Sequence, residues 1–95
     1  MDVLTQPLQL PCGASLPNRL AKAAMTEGLA DAWLLATPAL ERLYRTWSEG
    51  GSGLLLTGNV QVDRFDLERP ANVAIDRSES RTFDAKARAR LAAWA

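Results

Sequence analysis

Four consecutive residues, Ala23-Ala24-Met25-Thr26, set two minimal side chains beside a flexible thioether and a hydroxyl at the end of a short apolar segment. Bulk missing from a strand tip permits two things: tight packing by the protein itself, or the close approach of something flat. A hydroxyl placed next to such a surface can donate or accept a hydrogen bond. Other chemistry is excluded by residue type. The chain contains no histidine and a single cysteine, Cys12. A histidine general base, a histidine metal site, an internal disulfide and a CxxC zinc pair are therefore all unavailable to it. Lys and Arg number 11 and Asp and Glu number 11, for zero formal net charge. That balance gives no electrostatic reason to expect nucleic acid or an anionic membrane as partner.

The elements that position these residues are readable in part. Residues 7–19 place short apolar pieces on both sides of Cys12-Gly13-Ala14, the pattern of a small hairpin with Cys12 as a buried small hydrophobe. Leu20 to Met25 reads as a short strand. A helix is predicted over residues 38–49, with Thr37 as N-cap and Pro38 at the first helical position, where its missing N–H costs nothing. Leu40, Leu43, Tyr44 and Trp47 then form one apolar stripe, Glu41 and Arg45 are spaced as an ion pair, and Gly50-Gly51 ends the helix. Leu54-Leu55-Leu56 is continuous rather than alternating, which predicts a strand covered on both faces. Strand, helix, glycine turn and strand make one βαβ unit. Residues 59–80 read as a long polar loop, with Asp63 to Pro70 as a solvated stretch. From Arg81 a second helix is expected, with Phe83, Ala87, Leu91 and Trp94 on one side, while Lys86, Arg88 and Arg90 fall around it and form no phosphate patch. Trp47 and Trp94 are expected to pack helices against the sheet, and Trp33 to pack in its loop.

Three phrases in order, "LPNRLAKAAMTEGLAD", "LYRTWSEGGSGLLLTGNV" and "ERPANVAID", resemble the start of the Old Yellow Enzyme family, the NADH:flavin oxidoreductases related to 2,4-dienoyl-CoA reductase. The resemblance covers roughly residues 8–95. It implies an α/β fold: the N-terminal portion of an FMN-binding (β/α)8 TIM barrel, with a short hairpin and about one and a half βα units. A complete barrel needs on the order of 250 residues, so residues 1–95 are expected to be an incomplete part of such a domain. By the same resemblance Ala23, Ala24, Met25 and Thr26 are cofactor-binding, with Thr26 donating to the C4 carbonyl of the flavin. Gly58 matches a position where a small residue lets the cofactor approach. Ala24 stands where many members carry proline. The family's substrate-gripping pair, its proton donor and its phosphate loop match nothing here, so no residue of this chain is expected to be catalytic or to bind a metal.

The function so implied belongs to a larger parent: hydride from NADH or NADPH to FMN, then to an activated alkene as small-molecule substrate. The chain alone is expected to be inactive and to bind FMN poorly. A partial barrel also leaves parallel strand edges and apolar faces uncovered, which predicts self-association or completion by another chain. The second reading is therefore a non-enzymatic remnant that depends on a protein partner. The N-terminal "MDVLTQPLQL" has no basic n-region or long apolar run, and no stretch approaches the roughly 20 apolar residues of a spanning helix. A cytoplasmic location is expected.

Overall fold

The computed structural model of the chain describes residues 2–76 and 81–95, without the side chains of 2 and 81–83. Its elements run α1 (Asp2–Thr5), β1 (Leu8–Gln9), β2 (Ser15–Leu16), β3 (Ala21–Lys22), α2 (Pro38–Glu49), β4 (Leu54–Leu55), β5 (Val60–Gln61), β6 (Val73–Ala74) and α3 (Arg81–Trp94).

The hairpin forms where turn chemistry places it. β1 and β2 pair antiparallel, Leu8 opposite Leu16, and Gly13 takes φ +93° in the connection. Cys12 is exposed rather than buried. It lies in the reversal itself, where the chain has no second layer to cover a side chain.

Helix α2 spans the expected residues, and its caps explain why. The Thr37 hydroxyl accepts from the Leu40 amide at 3.3 Å, which satisfies one of the free N–H groups of the first turn. Gly50 remains right-handed, and the left-handed step falls one residue later, at Gly51 with φ +107°. Leu40 and Tyr44 are buried, with Leu43 and Trp47 half-buried beside them. The helix crosses from β3 to β4, which pair in parallel with Ala21 opposite Leu54 and Lys22 opposite Leu55. The βαβ unit is present.

Two expectations about strands change. The paired part of β3 is two residues, Ala21–Lys22, shorter than the apolar run Leu20 to Met25. The Lys22 ammonium takes the Ala23 carbonyl at 2.8 Å and the Leu56 carbonyl at 2.5 Å, so side-chain bonding succeeds the ladder at that point. In β4, Leu55 packs against the core, but Leu54 and Leu56 are 40% and 48% exposed. The leucine run is covered on its helix side only.

Residues 60–74 are also more ordered than a polar loop. β5 and β6 pair in parallel, Val60 opposite Val73 and Gln61 opposite Ala74, and the Ile75 amide donates to the Gln61 carbonyl at 2.7 Å. Strands of two residues are too short to show any alternation, so the pattern gives no sign of them. Residues 77–80 of the expected loop lie outside the described residues. A fork from Arg64 to Asp76, with Nε and Nη2 at 2.9 and 2.7 Å from the two carboxylate oxygens, closes the segment.

The core is Ala36, Leu40, Tyr44 and Val73, with Ala30, Trp47, Leu55, Val60, Leu91 and Trp94 packed around it. Tyr44 meets Trp47 and Trp94 edge-on, with ring centroids 5.1 and 5.4 Å apart. Such pairs contribute about 1 kcal/mol each beyond the area they bury. Both tryptophans therefore have the packing role expected of them. Trp33 does not pack into its loop: it is 60% exposed, with the Lys86 ammonium 5.5 Å from its ring centroid. The side chain of Phe83 lies outside the described residues. Arg90 reaches back from α3 to donate to the Ala36 carbonyl at 3.1 Å.

Candidate functional site

Parallel β3 and β4 run side by side, so the segments that follow them, Ala23–Thr26 and Thr57–Gly58, leave the sheet at the same end. At the opposite end they are joined by Asn18. Its side-chain oxygen accepts from the Leu20 and Gly53 amides at 3.0 and 2.9 Å, and its amide donates to the Gly51 carbonyl at 2.6 Å. One side chain thereby satisfies backbone groups of both the β3 start and the glycine turn before β4.

At the tip end the residues expected to bind a cofactor divide in two. Ala23, Ala24 and Met25 are exposed, Met25 to 54%, and Thr26 is half-buried. They present a shelf with little side-chain bulk on it. Gly58 is buried and lies directly against this shelf. A Cβ on Gly58 would fall 2.7 Å from the Thr26 Cα and nearer still to the Met25 carbonyl oxygen. The group that comes so close is the chain's own backbone, and only glycine permits it. The structure thus brings Met25, Thr26 and Gly58 together, with Ala23 and Ala24 continuing the open surface.

Two residues of this site carried no sequence signal as members of it: Glu27 and Tyr44. The Glu27 carboxylate oxygen Oε1 accepts a hydrogen bond from the Tyr44 hydroxyl and one from the Gly58 amide, the latter at 3.0 Å. The Gly58 amide also lies 3.3 Å from the Tyr44 hydroxyl oxygen. Tyr44 reads as a stripe residue of α2, and its ring is one; only the hydroxyl reaches the strand tips. Burial pushes its phenol well above the usual range, and the hydrogen bond to Glu27 and that residue's charge push it further, partly offset by the Gly58 amide. On the helix side of the sheet the Lys22 ammonium sits 4.7 Å from the Trp47 ring centroid and 5.3 Å from that of Tyr44.

The loop that follows the shelf is held by its own polar groups. Asp31 Oδ1 accepts from the amides of Trp33 and Leu35 at 2.9 and 3.0 Å, and Thr37 Oγ1 donates to the Leu29 carbonyl at 2.7 Å. The Ala30 amide donates to the Ala71 carbonyl at 3.1 Å, and the Ala74 amide to the Leu34 carbonyl at 3.0 Å, which ties the loop to β6. A cleft of about 700 Å³ is bordered by Tyr44 of α2, by Leu91 and Trp94 of α3, and by Leu55 and Thr57 at the end of β4.

Two alanines and a methionine are thus exposed side by side, with the half-buried Thr26 next to them. Among the described residues, no group of three or more His, Cys, Asp or Glu could hold a metal ion.

No protein-family model matches the chain. Curated relatives named NADH-dependent flavin oxidoreductase do, three of them as follows. The chain is 42% identical over 89 residues to iliE of Hypocrea jecorina (strain QM6a), covering 94% of this chain and 21% of that protein. It is 44% identical over 75 residues to iliE of Neonectria sp. (strain DH2), covering 79% of this chain and 10% of the relative. To iccE of Talaromyces variabilis it is 42% identical over 73 residues, covering 77% and 18%. The chain therefore spans only between a tenth and about a fifth of the length of these relatives.

Proposed function

From a chain that is homologous over most of its own length to a fragment of NADH-dependent flavin oxidoreductases, we propose that it supplies the first wall of an FMN site in an Old Yellow Enzyme-type (β/α)8 barrel. The whole protein would take hydride from NADH or NADPH and reduce an activated alkene, with FMN supplying the hydride-transfer chemistry when bound. The observation that carries the reading is the exposed Ala23-Ala24-Met25 shelf, beside Thr26, at the shared end of two parallel strands. Ligands of barrels and open α/β sheets bind at that end of the strands.

In this reading each residue has a bounded task. Ala23, Ala24 and Met25 offer an apolar face without side chains that stand in the way of a ring. Thr26 donates to a ring carbonyl. Gly58 lets the tip lie low enough for the surface to stay flat. No residue of the chain is assigned a proton-transfer step, and the groups that bind substrate and phosphate belong to other parts of the protein.

A hydrogen-bond donor at a ring carbonyl stabilises the electron-rich reduced flavin more than the oxidised one. Thr26→Ala in the full-length flavoprotein is therefore expected to lower the flavin potential by about 20 mV, for a differential bond of about 1 kcal/mol in a two-electron couple. Flavin binding is largely retained. A potential equal to that of the unmodified protein removes Thr26 from the cofactor's surroundings.

A second reading has its own observation. Leu20, Leu54 and Leu56 are exposed, and the Cα radius of gyration is 15.5 Å against roughly 12 Å for a compact domain of this length. A chain so open can act as a non-enzymatic piece completed by another chain. The flavin content of the purified full-length protein separates the two: the oxidoreductase reading expects about one flavin per chain, and the second reading expects none.

A further inference from the structure

The shelf has to be held in place, and ordinary backbone bonding does little of this. Leu56 donates to the Lys22 carbonyl, and the next backbone bond along the loop is that of Ala30 to Ala71. Between Ala24 and Gly28, the described hydrogen bonds to the rest of the fold are those of the Glu27 carboxylate. The bonds converge on one oxygen, from a helix hydroxyl and from the amide that follows β4. Three segments far apart in sequence are thus joined at a single atom, one residue after Thr26.

We propose that Glu27 is a positioning residue: by clasping the Tyr44 hydroxyl and the Gly58 amide, its carboxylate fixes the Met25–Thr26 tip against the end of β4, in the geometry that a planar cofactor requires. The proposal rests on the flavin reading above and adds the element that makes the wall rigid. Three features of the site support a positioning task over simple core filling. A half-buried carboxylate is costly unless its acceptors are used, and an apolar side chain would fill the same space without that cost. The donors come from different elements, so the bond constrains relative position rather than local conformation. Gly58, moreover, is shaped to bring its amide within reach, since any side chain there would push the tip away.

The test uses the full-length flavoprotein and measures the flavin dissociation constant by absorbance titration. Glu27→Ala removes the acceptor and is expected to weaken flavin binding tenfold or more. Glu27→Gln keeps an amide oxygen that can accept both bonds, and is expected to restore binding to within about threefold of the unmodified protein. Tyr44→Phe removes one donor and retains the fold's ring packing, so it reports if Glu27→Ala fails to fold; a loss of at least threefold is expected. Glu27→Ala or Tyr44→Phe binding flavin as the unmodified protein does overturns the clasp. So does an equal loss in Glu27→Ala and Glu27→Gln, because a residue that merely positions is rescued by a neutral acceptor. If the unmodified protein binds no flavin, the proposed function falls, and this role falls with it.

Discussion

At the residue scale the site depends on what is missing from Gly58. Its φ is not in the left-handed region, so its need for glycine is steric: the Met25 carbonyl, Thr26 Cα and Glu27 carboxylate occupy the place of a Cβ. Gly58→Ala must displace backbone rather than a mobile side-chain end. A loss of about 1–3 kcal/mol is expected from overpacking, read as a lower midpoint in urea unfolding. An unchanged midpoint would show that the tips separate freely. The sequence shows that a small residue belongs at this position but not what approaches it. Glu27 and Asn18 were harder to see, since each acts on partners 31 and 33 to 35 positions away. Side-chain bonds of that span leave no periodicity. The lack of bulk in Ala-Ala-Met-Thr was visible in the sequence, but on residue type alone it fits tight packing equally, and its reading as a cofactor surface came from the family resemblance.

Elements differ in legibility according to how local their causes are. Helix α2 is set by its own cap, its own proline and its own stripe, so its bounds can be read directly. β5 and β6 exist because each pairs with the other across an intervening loop, and neither segment announces that partner. Their junction depends on the Arg64–Asp76 fork, which holds the Asp76 carboxyl below its ordinary value, chiefly through the hydrogen bond from Arg64. A carboxyl whose folded value is depressed stabilises the fold above its unfolded value near 4 and ceases to do so as pH falls through the lower folded value. Asp76→Asn is therefore expected to flatten the acid side of the stability curve below about pH 4, leaving the neutral side lowered. A variant with the same acid dependence as the unmodified chain would place the titration elsewhere. The open face of β4 was misjudged for a related reason. Three leucines in a row promise cover on both sides, whereas the structure supplies α2 on one side only.

At the scale of the whole molecule, two properties belong together. The fold is extended, 49 × 25 × 22 Å, and its parallel strands carry apolar side chains on a face that no described element covers. Such a surface suits a piece of a larger layered or closed sheet, and the homologous proteins are several times longer. In the proposed function this chain offers a cofactor one surface, and other segments complete the site. Its most direct test uses Ala24, which is exposed and so can accept bulk without disturbing the chain's own packing. In the full-length protein, Ala24→Phe should leave the circular dichroism melt of the flavin-free form unchanged while, under the proposed function, flavin content per protein falls at least tenfold. Full flavin content in that variant would contradict the central claim, because a phenyl group and a ring cannot share one shelf.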